Sequence, residues 1–216
     1  MKRIIYCISG LGADERAFSK LQIHNAELIT LRWLPPEKNE PIEKYALRMA
    51  ANIQHPEPIL LGLSFGGMMS IEIAALIPVK AVILISSIKS AAELPAWMRL
   101  AGIVRINKLF PIKSARFMEP VTNRTLGVTT AEEKTMVREF RKNSPVKYNN
   151  WAVDKILNWK KKHVLNNVFH IHGNKDRIFP IKKTTATHII DGGKHLMIMS
   201  KHEEVSACIN QILQSI

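Results

Sequence analysis

Hydrophobic positions along this 216-residue chain follow two alternating patterns. Short apolar runs lie at residues 3–9, 26–31, 59–61, 80–86, 167–171 and 187–190. Runs of that length predict buried β-strands. Between and after them, residues 14–21, 41–53, the stretch following residue 64, and 203–213 predict helices. Pro41 suits a first helical turn, and Trp33-Leu34-Pro35-Pro36 breaks off the second strand. Strand alternating with helix predicts parallel pairing, with helices on both faces of the sheet.

Residues 87–162 break this rhythm. They hold no convincing buried strand, and their apolar residues recur at helical spacing: Leu94, Trp97, Met98, Ile103 and Val104, then Met136, Val137 and Phe140. Pro95, Pro111, Pro120 and Pro145 punctuate the stretch. It reads as a helical cap inserted into one α/β core, with core parts at 1–86 and 163–216. Most of its apolar side chains pack cap onto core. Trp97, Phe110, Phe117 and Met136 are candidates to line a substrate pocket.

The chain is organised around PILLGLSFGGMMSIEIAAL, residues 58–76. An apolar strand runs into Gly62-Leu63-Ser64-Phe65-Gly66 and then into an apolar helix. That is the nucleophile elbow, G-x-S-x-G between strand and helix. The sharp turn strains the serine and exposes its hydroxyl, and the flanking glycines remove side chains that would collide. The bland reading is a glycine-rich connection in an ordinary α/β domain. Gly10-Leu11-Gly12 follows the first strand. A dinucleotide fingerprint would need a third glycine where Arg16 stands, so that function is disfavoured. Asp14 reads as a helix cap near a positive helix end.

The last two strands end in loops carrying an acid and a histidine: His172-Gly173-Asn174-Lys175-Asp176 and Asp191-Gly192-Gly193-Lys194-His195. Parallel sheets place their sites along this carboxyl edge. A serine hydroxyl is a poor nucleophile at neutral pH. His195 would take its proton during attack, Asp176 would orient and stabilise the imidazole, and the backbone N–H groups of Leu11 and Phe65 would hold the oxyanion. Asp176 has a rival in Asp191, which is only four residues before His195 and better suited to forming a turn. His170 and His172 share a strand face and suggest a metal pair. No further ligands cluster near them in sequence, so no metal is expected.

Composition narrows the class. Hydrophobic residues make up 46% and charged residues 23%, which predicts one soluble globular domain. No apolar run approaches the roughly 20 residues that span a bilayer. The run after Lys2-Arg3 is too short for a signal core, so a cytoplasmic location is expected. Cys7 in the first strand and Cys208 in the last helix predict two buried thiols, not a disulfide. The net charge is +13, and basic residues outnumber acidic ones by about ten between positions 89 and 162. This reads as a solvated basic face or as attraction to anions. No nucleic-acid motif accompanies it.

SGLGADERAF, LLGLSFGG, HIHGNKDRIFP and DGGKHLMI resemble, in order and over nearly the whole chain, the motifs of the α/β-hydrolase superfamily. Small bacterial members of unassigned substrate are the nearest likeness. The resemblance implies a mainly parallel sheet of about six strands, a Ser64–Asp176–His195 triad, and oxyanion donors at Leu11 and Phe65. Nothing in the sequence suggests a cofactor. The family often has His-Gly before the oxyanion residue, where this chain has Ser9-Gly10. The expected activity is hydrolysis of an ester or thioester of a small to medium acyl group. Cleavage of an amide or carbon–carbon bond stays open, as does a non-catalytic ligand-binding role on the same fold.

Overall fold

A computed structural model describes residues 2–105, 119–162 and 165–216. Six strands form one sheet: β1 (Arg3–Ile8), β2 (Ala26–Thr30), β3 (Ile59–Leu63), β4 (Ala81–Ile85), β5 (Val168–Gly173) and β6 (His188–Ile190). Their order is β2-β1-β3-β4-β5-β6, and every pairing is parallel. β3 and β4 occupy the centre and are buried at every residue, which is why they read as unbroken apolar runs without alternation.

The sheet is covered on both faces. One apolar cluster gathers α1 (Ile42–Ala50) and α2 (Phe65–Ala74) around Tyr6, Leu60, Val82 and Leu84. The other gathers the opposite-facing residues Ile5, Leu61, Ile83 and Ile171 with the closing helix (His202–Ser215). The period-two alternation of strand side chains assigns each residue to its cluster. The predicted helix at 14–21 is a single 3-10 turn, Glu15–Phe18. Asp14 caps it as expected, accepting from the Arg16 N–H at 3.0 Å.

Between β4 and β5 the described residues form helices and no strand: α3 (Ala96–Ile103), α4 (Glu119–Leu126), α5 (Ala131–Asn143) and α6 (Val146–Leu157). A capping box at Thr130 and Glu133 starts α5. Buried polar contacts tie this segment to the core. The Trp151 indole donates to the Glu40 carbonyl oxygen at 2.9 Å, and the Trp159 indole donates to the buried Glu72 carboxylate at 2.7 Å. The last strand is followed by the short α7 (Met197–Ser200) and then α8 (His202–Ser215). Both cysteines are free thiols. Cys7 is buried, with a pKa pushed up to about 12 by burial, whereas Cys208 is only half-buried. No helix among the described residues is long and apolar enough to cross a membrane.

Candidate active site

β3 ends at Leu63 and α2 begins at Phe65, so Ser64 makes the turn alone. Its φ of 52° and ψ of −117° lie where L-residues are rarely found. Strain of this kind, of order 1–3 kcal/mol, persists only where surroundings over-determine it. Here the Ser64 N–H donates to the Ile85 carbonyl at 2.9 Å, and the Ser87 hydroxyl donates to the Ser64 carbonyl at 2.6 Å. The elbow glycines serve different contacts. A Cβ on Gly62 would come within 2.5 Å of the Gly66 oxygen, so this glycine lets α2 close onto its own strand. A Cβ on Gly66 would instead strike the carbonyls of Ile8 and Ser9, so this one lets α2 pass the end of β1.

Asp176 and His195 reach Ser64 from the loops after β5 and β6. The His195 Nδ1 lies 2.8 Å from Asp176 Oδ2, and its Nε2 lies 2.9 Å from Ser64 Oγ. A carboxylate only accepts, so Nδ1 carries the proton in the neutral ring and Nε2 is free to accept from the hydroxyl. Asp176 Oδ1 accepts from the Ile178 N–H at 2.7 Å and the Phe179 N–H at 3.0 Å. Burial raises the Asp176 pKa, but the charge of His195, its hydrogen bond and the Phe179 amide outweigh that effect. The net shift is below the ordinary carboxylate value. Asp176 and His195 are both buried, at 5% and 3% exposure, whereas Ser64 is partly open.

The two loops are stapled to each other. The Lys175 N–H donates to the Gly193 carbonyl at 2.9 Å, and the Asn174 N–H to the Ile190 carbonyl at 3.2 Å. Gly173 and Gly193 approach so closely that a Cβ on Gly173 would overlap the Gly193 backbone. Asp191 belongs to this staple, since its Oδ1 accepts from the Asn174 side chain at 2.7 Å at an exposed position. The buried acid beside the imidazole is Asp176.

The loop after β1 is held through Ser9. Ser9 Oγ donates to the Ala13 carbonyl at 2.7 Å and accepts from the Trp33 indole at 3.0 Å. The Ala13 N–H closes the turn onto Gly10 at 3.0 Å. The Trp33 ring stacks on Phe65, centroids 5.1 Å apart and 9° from parallel. One side chain therefore braces both ends of the prospective oxyanion site. Neither the Leu11 nor the Phe65 amide donates to an acceptor among the described residues.

No family model matches the sequence, and no curated protein matches it either. Solved structures do match. A thermophilic esterase from Thermogutta terrifontis superposes with a TM-score of 0.75 at 14% identity, over 100% of this chain and 90% of that one. A bromoperoxidase from Bacillus anthracis gives 0.74 at 14% identity, over 99% and 92%. An N-acyl homoserine lactonase gives 0.72 at 17% identity, over 99% and 89%. The chain has the α/β-hydrolase fold. Within that fold, Ser64, Asp176 and His195 occupy the turns after β3, β5 and β6, all at the carboxyl edge of the sheet.

The pocket candidates fare unevenly. Trp97 is 61% exposed on α3. Met136 is half-buried on α5, packs against the cluster holding Phe18 and Phe140, and lines a shallow depression with Arg16 and Glu139. Phe110 and Phe117 lie outside the described residues. The His170–His172 pair turns inward and serves the acid loop. His172 Nε2 donates to the Phe179 carbonyl at 2.7 Å, so its Nδ1 accepts from His170 Nε2 at 3.0 Å. Burial lowers the pKa of both imidazoles. Sequence reasoning missed Trp33, Ser87 and Phe179, whose ring meets the His195 ring edge-on at 5.7 Å. Each is an ordinary residue just beyond a strand, and nothing in the sequence pairs it with its partner.

Proposed function

We propose that this protein is a serine hydrolase acting on a carboxylic ester or thioester of a small to medium acyl group. The observation that carries the reading is the continuous hydrogen-bonded path Ser64–His195–Asp176 at the carboxyl edge of the sheet. In the first half-reaction, Ser64 Oγ attacks the acyl carbon while its proton passes to His195 Nε2. The Leu11 and Phe65 amides receive the negative charge that develops on the carbonyl oxygen. Collapse breaks the bond to the alcohol or thiol, which takes the proton from His195. Water then attacks the acyl-enzyme by the same route in reverse, releasing the acid and restoring Ser64. Asp176 keeps Nδ1 protonated and stabilises the imidazolium. Residues 87–162 serve as the cap that bounds the acyl pocket. Tyr148 and Trp151 of α6, packed with Trp33 and Phe65, support that placement.

The deciding experiment is labelling with a fluorophosphonate probe, wild type beside Ser64→Ala. Labelling of the wild type alone is expected, together with loss of ester turnover in a variant that folds normally. Equal labelling or equal turnover in both proteins would refute the assignment. Folded wild type that neither labels nor turns over esters would point to a ligand-binding role.

A further inference from the structure

A cavity of about 690 Å³ is lined by α4, the turn that follows it, α5, and Arg177 and Lys194 of the two loops that carry Asp176 and His195. Its charge is one-sided. Arg124, Lys134, Arg138, Arg177 and Lys194 line it, and the single acid, Glu119, is already paired with Arg138 at 3.0 Å. The other four cations have no carboxylate partner among the described residues. All four are exposed, so their side chains are free to converge on a ligand. Four unneutralised cations around one concavity repel each other, and an anion relieves that repulsion.

The recess is built onto the reacting loops. Arg177 directly follows Asp176, and Lys194 directly precedes His195. The Leu196 N–H donates to the Leu126 carbonyl at 3.0 Å, joining the histidine loop to the end of α4. Gly127, at φ 81°, lies against the aliphatic stem of Lys194, where a Cβ would overlap it. The aliphatic stem of Lys194 is thereby packed against the turn that follows α4. The leaving alcohol must sit within reach of His195 Nε2 to be protonated. Of the two halves of the substrate, the alcohol is therefore the one nearer His195 and the loop that carries Lys194.

We propose that this recess binds a phosphate group on the alcohol portion of the substrate, making the preferred substrates acyl esters of phosphorylated alcohols. The assignment rests on the hydrolase reading above. A phosphate offers several acceptor oxygens and about two negative charges, which suits clustered Arg and Lys donors better than a single carboxylate does.

The test compares 1-butanoylglycerol with 1-butanoylglycerol 3-phosphate, which share the scissile bond and acyl chain and differ only in the phosphate. Rates are measured on wild type and on the double variant Lys134→Gln/Arg177→Gln. Wild type should prefer the phosphate ester in kcat/KM by about tenfold or more near 10 mM ionic strength. That preference should shrink toward physiological salt, where screening shortens the Debye length from about 30 Å to about 8 Å. Exposed charge pairs are worth up to about fivefold each, so the double variant should lose about tenfold of the preference, chiefly through KM. Glycerol 3-phosphate should compete with the phosphate ester and do so more weakly in the variant. If wild type hydrolyses both esters equally at low salt, the phosphate subsite is overturned and the hydrolase reading stands. A preference that the double variant fully retains would also overturn it. If neither ester is cleaved and the fluorophosphonate does not label Ser64, the hydrolase reading fails and the substrate assignment with it.

Discussion

At the residue scale, the site separates two aspartates that a sequence treats alike. Asp176 is buried with both oxygens occupied, by His195 on one side and two backbone amides on the other. Asp191 is exposed and accepts from the Asn174 side chain. Asp176→Asn should keep the geometry but offer an N–H where the imidazole needs an acceptor, costing on the order of 10⁴-fold in kcat. Asp191→Asn should cost no more than about fivefold, since it weakens one exposed hydrogen bond. Steady-state kinetics on one ester decides between them, and the reverse ranking would reassign the acid.

At the element scale, the site depends on how closely two strand ends approach. β5 and β6 must bring their loops together before Asp176 can meet His195, and the Gly173–Gly193 contact sets that spacing. Gly173→Ala should force the histidine loop outward. We expect destabilisation of about 1–3 kcal/mol from overpacking and a loss of kcat of about 100-fold or more, because a displacement of about 1 Å is that costly. Urea denaturation and kinetics measured side by side would test this. A variant with full activity would show that the loops find their register without that contact. The inserted helices are fixed on the same principle, through Trp151 on Glu40 and Trp159 on Glu72.

At the scale of the whole molecule, two buried imidazoles make stability depend on pH. Burial holds His170 and His172 below their ordinary value of 6.5 in the folded protein. The unfolded chain takes up protons near that value while the folded chain does not. Their neutral state therefore favours the fold above pH 6.5, and this contribution is lost as pH falls from there toward their folded pKa values. Each such group adds up to about 1.4 kcal/mol per pH unit to the slope. His170→Phe should flatten the decline in urea stability below pH 6 by about 1 kcal/mol per unit, whatever its stability at neutral pH. An unchanged slope would mean that His170 already takes a proton in the folded protein.

Strand runs and helical spacing made the α/β alternation legible, because burial on both sheet faces demands unbroken apolar stretches and a covered helix face demands a period near 3.6. The elbow was legible because a strained serine between strand and helix admits few neighbours. The acid and histidine were legible because short loops at strand ends can only carry their residues to one edge of the sheet. What stayed hidden depends on contacts between distant residues. Trp33 finds Ser9 and Phe65, and Ser87 finds the Ser64 carbonyl, only after β1 to β4 have paired. His172 faces the Phe179 carbonyl because of how one loop folds back. Arg124, Lys134, Arg177 and Lys194 are scattered along some 70 positions and become one cationic recess only when α4 and α5 settle beside the histidine loop. Local pattern governs which face a side chain takes, and packing governs whom it meets there.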